Sequence, residues 1–290
     1  MTDRPRFGCI EAGGTKFMLG IADAPDNFLA TTRIPTTTPE ATIGAVIDWF
    51  AGQDAVAAIG IASFGPVDPD PASPHWGFIT ETTKLGWSQT DFAGRVGRTL
   101  GVPVGFDTDV NGAALAEARW GGAQCDDVAV YITVGTGIGG GAVINGMPLH
   151  GAQHPEMGHI LPRRHPDDLD FAGVCPFHKD CFEGLASGPA ITARWGASLS
   201  ELPADHLGHA IIAFYLGQLA MAVQTMLSPR RIIFGGGVMA TPGLIERVRS
   251  AAMTLAKDYV TMNIQPPGLG DQAGLLGGLA LAEAALRIKR

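Results

Sequence analysis

The hydrophobic pattern opens with three short runs, residues 7–11, 17–22 and 29–34, each rich in aliphatic or β-branched side chains and bounded by Gly, Pro or Asp. That pattern predicts three strands joined as two antiparallel hairpins. From Pro39 to Phe50 the period changes. Ile43, Val46, Ile47 and Phe50 recur at helical spacing behind a proline and a glutamate, so a helix is expected there, followed by a short buried strand over 55–62. The order β-β-β-α-β then recurs. Runs at 128–134 and 140–144 flank a glycine turn, helices are expected from about 203 to 227, and an aliphatic strand at 231–234 ends at Gly235.

Two similar α/β lobes facing a cleft are the economical arrangement. Residues 1–120 form the expected first lobe and 121–271 the second, linked near 119–126, with a loop at 154–184 inserted in the second. The Leu- and Ala-rich stretch 274–286 predicts a terminal helix, and the segment 272–290 is expected to pack back across the first lobe. The 40 glycines show no period and read as turn punctuation, which excludes solenoid repeats.

Composition removes several classes of function. With 46% hydrophobic residues, a chain of 290 can bury a sizeable core. A net charge of −8, with only 20 Lys and Arg spread along the length, argues against a nucleic-acid partner, so any anionic ligand must be held by local dipoles and a metal. No charged-then-apolar leader opens the sequence. The long apolar stretch 211–227 is interrupted by Tyr215, Gly217 and Gln218, so neither export nor a membrane contact is expected and the predicted location is the cytoplasm.

Three glycine turns are candidates for holding an anion. In Glu11-Ala12-Gly13-Gly14-Thr15-Lys16, between two predicted strands, backbone N–H groups can face a phosphate, with a hydroxyl and a cation beside them; the alternative is a plain hairpin turn. Gly135-Thr136-Gly137-Ile138-Gly139-Gly140-Gly141 is richer in glycine than a hairpin requires, and the two turns in matching positions could clamp a polyphosphate. Gly235-Gly236-Gly237-Val238-Met239 could lie flat against a ligand such as an adenine, or simply turn a strand into a helix.

Asp107-Thr108-Asp109-Val110-Asn111 follows a predicted strand at 102–106 and precedes a helix reaching about Trp120. Asp109 is the candidate general base, since a hydroxyl becomes a good nucleophile only once its proton is accepted; a helix N-cap is the competing role. His159, Cys175, His178 and Cys181 supply a closed N and S set with two-residue gaps, which suits structural zinc better than a disulfide or an open catalytic site; His165 is a second choice as ligand. Cys9 and Cys125 are expected to be buried spectators. Glu156 and Glu183 flank the zinc segment as acceptors suited to sugar hydroxyls, and His159 could contact both the metal and a sugar.

With these motifs in hand, the chain resembles the ROK family of bacterial sugar kinases and sugar-responsive repressors, within it the fructokinase branch. The matches are Glu11 to Lys16, Asp107 to Gly112, Thr133 to Gly141, Glu156-Met157-Gly158-His159 and the zinc segment. The resemblance implies an actin-like ATPase (ribonuclease H-like) fold, two βββαβα lobes with ATP in the cleft, and Mg2+ on its phosphates. It also implies a base at Asp109, sugar contacts from Thr108, Glu156, His159 and Glu183, and nucleotide contacts from Thr136, Pro189 and the Gly235–Met239 turn. Glu11 stands where Asp is usual, Thr108 where Asn usually precedes the base, and Cys-x2-His-x2-Cys replaces a cysteine-dense run; all three resemble the fructokinase branch. The implied reaction is phosphorylation of D-fructose by ATP. Mannose, glucose or N-acetylmannosamine are alternative acceptors, and a non-catalytic sugar-binding regulator is the alternative of another class, which would need an N-terminal DNA-binding segment ahead of residue 7. A homodimer is compatible with the surface zinc loop.

Overall fold

The computed structural model describes residues 4–257 and 259–288. The ends of the predicted first lobe and terminal segment, residues 1–3, 289 and 290, lie outside the described residues. Contacts divide the chain into two compact units. The first comprises residues up to Gln124, Met147–His154 and the segment from Asp271; the second comprises Cys125–Gly146 and Pro155–Gly270. The segment Met147–His154 therefore belongs with the first unit, where the sequence pattern had placed it with the second.

In the first unit β1 (Phe7–Ala12), β2 (Lys16–Ala24), β3 (Asn27–Pro35), β4 (Ala58–Ser63) and β7 (Val104–Thr108) form a sheet in the order β3-β2-β1-β4-β7. β1 pairs antiparallel with β2 and parallel with β4. The central strands β1 and β4 are buried almost throughout, whereas the edge strand β3 alternates exposed and half-buried residues as one open face requires. β4 begins at Ala58 and not at 55, because β1 offers Phe7 as its first partner, opposite Ala58.

A short hairpin, β5 (Phe78–Ile79) with β6 (Thr90–Asp91), interrupts the path from β4 to β7. α1 (Pro39–Ala51) starts where the Thr38 hydroxyl accepts the Ala41 N–H and proline occupies the first turn, and it buries Ile43, Val46 and Phe50. α2 (Ala93–Leu100) and α3 (Asp109–Trp120) follow, and Ile10, Phe17, Leu19, Ile43, Ile61 and Trp87 centre the core.

The second unit repeats the plan. β8 (Val128–Val134) is flanked by antiparallel β9 (Ile138–Ile144) and parallel β11 (Arg231–Gly235), with β12 (Ile264–Gln265) parallel beyond it. The sequence β9-β8-β11-β12 thus matches β2-β1-β4-β7 in order and direction; the two-residue β10 (Met147–Pro148) lies in the segment assigned to the first unit. α4 (Phe182–Ala186), α5 (Gly188–Trp195), α6 (Leu207–Leu227) and α7 (Leu244–Ala256) complete it, and α8 (Ala273–Ile288) belongs to the first unit.

α6 is long and apolar enough to cross a membrane, yet Ile212, Tyr215, Leu216, Leu219, Ala220 and Val223 are wholly buried along it, as in the core helix of a folded unit. It starts at Leu207, after the 203–206 turn, where the His206 ring accepts the Gly208 N–H. Cys9 is buried, but Cys125 is exposed, because the chain turns there with φ 65°.

Glycine does more here than punctuate turns. A Cβ on Gly60 in β4 would overlap the Gly278 carbonyl of α8, one on Gly278 would stand 2.8 Å from Ile10 N, and one on Gly277 would stand 2.5 Å from Gly112 C in α3. α8 therefore lies backbone to backbone against β1, β4 and α3. Gly60→Val should destabilise the protein by about 3 kcal/mol or more, because the obstruction is main chain that cannot repack; urea unfolding of the variant measures it, and a loss under about 1 kcal/mol would mean that α8 shifts freely.

Candidate active site

At the end of β7 the chain turns directly into α3. Thr108 supplies the helix cap, its hydroxyl accepting the Asn111 N–H at 3.1 Å, so the capping role weighed for Asp109 falls to its neighbour. Asp109 is the first helical residue, half-buried, with Oδ1 accepting the Val110 N–H at 2.9 Å.

Asp107, which sequence reasoning did not single out, is only 2% exposed. Its Oδ1 accepts from Thr108 N–H at 2.7 Å and Asn111 Nδ2 at 2.8 Å, and its Oδ2 accepts from His150 Nε2 at 2.9 Å. The bond to Asp107 raises the His150 imidazole above its ordinary pKa against the effect of burial, and the charges of Asp107 and Asp70 add to the rise.

The first glycine turn is tighter than expected. The Gly13 N–H closes it on the Lys16 carbonyl at 2.9 Å, and Thr36 ties down the Gly13 and Thr15 carbonyls, so the Gly13 amide does not point outward. Gly14, Thr15 and Lys16 are exposed at its tip, and nothing lies within 4 Å of a Cβ built on Gly14. Beside the turn, burial raises the Glu11 carboxyl pKa against the opposing charge of Lys16, and the charge of Asp271 adds a smaller rise.

Within the second unit, three predicted segments gather at one place. The turn between β8 and β9 is confined to Gly135-Thr136-Gly137. Its Gly135 carbonyl accepts the Gly188 N–H at 2.7 Å from the start of α5, where Ser187 is the cap and Pro189 sits in the first turn. A Cβ on Gly188 would meet the Val238 side chain at 3.8 Å, and Gly236, at φ 92°, lies against the Val134 backbone. Gly235 ends β11 and Gly237 opens a 3-10 turn carrying Val238 and Met239. Gly139, Gly140 and Gly141, the last three residues of the glycine-rich motif, are strand residues of β9, which starts two residues before the predicted 140–144 run; there Gly140 makes room for Met157, since a Cβ would stand 2.5 Å from its sulfur.

Met157 opens the 3-10 turn Met157–His159, which delivers His159 to a Cys/His cluster. The ligand atoms of His159, Cys175, His178 and Cys181 all lie within 4.8 Å of one another. His159 Nδ1 is 3.7 Å from Cys175 Sγ, 3.5 Å from Cys181 Sγ and 3.3 Å from His178 Nδ1. A tetrahedral ion with ordinary Zn–N and Zn–S bonds separates its ligands by about 3.5 Å for N···S and about 3.3 Å for N···N, so the set fits a bound cation. Burial, with the neighbouring Cys175, pushes the Cys181 thiol up to about 12, a proton that a bound cation would displace. His165 stands apart: its Nδ1 accepts the Asp167 N–H and its ring packs edge-on against Phe214.

The two carboxylates follow from this loop. Glu156 Oε2 lies 4.0 Å from His159 Nε2, the ring nitrogen opposite the cluster. Burial, then the charge of Glu183, pushes the Glu156 carboxyl up to about 7, while 43% of its side chain stays accessible. Glu183 Oε2 accepts the Ile138 N–H at 3.0 Å, and a Cβ on Gly137 would stand 2.6 Å from that oxygen. Glu183 is thus bound to the glycine turn.

The chain matches the ROK family over residues 7–285. It is 50% identical over 295 residues to a protein of Zymomonas mobilis named fructokinase, with 98% of each chain covered. Its structure is similar to the ROK hexokinase from Thermus thermophilus, with TM-score 0.80, 26% identity and coverage of 98% of this chain and 99% of that one. It is also similar to a ROK family glucokinase from Streptomyces griseus solved with glucose and AMPPNP, with TM-score 0.77, 25% identity and coverage of 96% and 99%. Matched over nearly its whole length in sequence and in structure, the chain belongs to the ROK family and is a sugar kinase with the actin-like ATPase fold.

Proposed function

We propose that this kinase moves the terminal phosphoryl group of Mg-ATP to a hydroxyl of free D-fructose, giving fructose 6-phosphate. The observation that carries the choice of sugar is the full-length, 50% likeness to a protein named fructokinase. Thr108 supports it, because a residue buried as a helix cap has no side-chain amide to offer a pyranose.

In the proposed reaction Asp109 accepts the hydroxyl proton while the sugar oxygen forms its bond to the γ-phosphorus and the bond to the leaving ADP oxygen breaks. The exposed Gly14, Thr15 and Lys16, together with Gly135 to Gly137, Pro189 and Gly235 to Met239, are the proposed nucleotide contacts; Gly13, its amide tied to the Lys16 carbonyl, shapes the first turn. Thr108, Glu156, His159 and Glu183 are the proposed sugar contacts. Zn2+ on His159, Cys175, His178 and Cys181 would use all four positions of the ion and so order the loop without entering the chemistry. With Nδ1 of His159 turned to the cluster, its Nε2–H is left to donate to Glu156 or to a sugar oxygen. Reduced thiols and an ATP substrate suit the cytoplasm.

ADP release with Mg-ATP against fructose, mannose, glucose and N-acetylmannosamine tests the reading; fructose should exceed the others by about tenfold or more in kcat/KM. Preference for another hexose would move the acceptor, and no turnover with any would return the chain to a sugar-binding regulatory role. Asp109→Asn should lower kcat by about 10²- to 10⁴-fold while ATP still binds; normal turnover would remove the base assignment. Elemental analysis should find zinc in the purified protein, and Cys175→Ser should lose both the metal and thermal stability. A metal-free native preparation of full activity would overturn the structural-zinc proposal.

A further inference from the structure

The buried carboxylate of Asp107 collects three donors around the turn that carries Asp109. Thr108 N–H and Asn111 Nδ2 converge on one oxygen and His150 Nε2 on the other. Thr108 and Asn111 are also joined to each other, hydroxyl to N–H, so one carboxylate and one cap fix the backbone on both sides of Asp109. A charge buried this deeply depends on its partners, and losing one is costly.

His150 comes from outside the sheet, on the segment Met147–His154. Four residues on, His154 is buried and accepts the Val67 N–H on Nε2 at 3.1 Å, in the loop after β4. The segment is therefore docked on the first unit at two points, and the chain then runs directly through Pro155 into Glu156 and His159.

We infer that His150 is a positioning residue for phosphoryl transfer, acting through Asp107 to hold the β7–α3 turn that presents Asp109. The inference rests on the proposed role of Asp109 as base. A base must meet its hydroxyl within a narrow range of geometry, and a displacement of an ångström can cost about 10²-fold in rate. His150 stabilises the carboxylate best as a cation. It faces Asp107 on β7 and the charge of Asp70 in the loop after β4, and about a third of its side chain, 35%, is open to solvent, so it titrates with the buffer. Because its pKa is raised in the folded protein, the ion pair is complete below the ordinary histidine value and is lost as pH rises through the higher, folded one.

The test is steady-state kinetics from pH 6 to 9 on the full chain, with His150→Gln, which keeps an N–H for Asp107 but carries no charge, and His150→Ala. Wild-type kcat should step down as pH rises through the His150 ionisation. His150→Gln should lack that downward step and sit near the wild-type alkaline level. His150→Ala should lose kcat by about 10- to 100-fold with KM for ATP within about twofold. A fall in kcat with rising pH that survives in His150→Gln, or a folded His150→Ala with kcat within about twofold of wild type, would overturn the inference; a rise from the Glu156 ionisation would leave it standing, and if His150→Ala does not fold, the Gln profile decides alone. Failure of the base assignment itself reads out separately, as normal turnover of Asp109→Asn.

Discussion

The close approach of α8 to the first sheet is the constraint on which the rest of the first unit depends. Three helical and strand glycines, Gly60, Gly277 and Gly278, let main chain meet main chain, and Gly112 of α3 closes the other side. Helices normally stand about 8–10 Å from their neighbours because side chains intervene. Removing them brings α8 onto β1 and β4 and holds α3 against it. The same approach leaves Gly274 beneath the Glu11 carboxylate, at the first glycine turn, and it seats the helix whose first residue is Asp109. The geometry of the carboxylate proposed as the base thus rests on positions that carry no side chain.

The local period of the chain made the sheet legible. β8 has the bounds that the apolar run predicted, and the Pro39-Glu40 start with apolar spacing to Phe50 placed α1 one residue short of its observed end at Ala51. Pattern alone did not reach α4, α5, α7 or the β5–β6 hairpin. α4 and α5 are short and are set by caps, Cys181 and Ser187, while the apolar face of α7 shows only Leu244, Val248, Ala252 and Ala256, a stripe too narrow to stand out.

Glycine was the least legible residue. In-strand Gly60, Gly105 and Gly140 have the same letter as the turn residues, and only the neighbour that fills the missing side chain tells them apart. The Cys/His cluster was the opposite case, since its four side chains lie within 23 positions of sequence and a fixed spacing brings them together. The pairing of Asp107 with His150 was invisible for the converse reason. They are 43 residues apart, and nothing in either segment requires the other until the fold brings them to 2.9 Å. His150 and His154 did leave a trace, two of the eight histidines four residues apart just ahead of a motif that was otherwise assigned.

In the second unit the same economy takes a mechanical form. Cys181 is at once a cluster residue and the cap of α4, its sulfur accepting the Gly184 N–H, so whatever fixes that sulfur fixes the helix start. Glu183, in the first turn of α4, accepts the Ile138 N–H beside the glycine turn, and Ser187 then caps α5, whose Gly188 N–H returns to the Gly135 carbonyl. From sulfur to carbonyl the path runs through seven residues and two helix starts. Each link is a hydrogen bond made only if the previous one has set the backbone, and short helices of five and eight residues have little stability of their own to set it otherwise. The Arg194 side chain, paired with Asp168 and stacked on Phe171, braces the far end of α5 against the loop. A cation at the cluster would therefore do more than close a loop: it would order the carboxylate and the glycine turn in the same step, giving a structural metal a direct hold on the residues proposed to meet sugar and nucleotide.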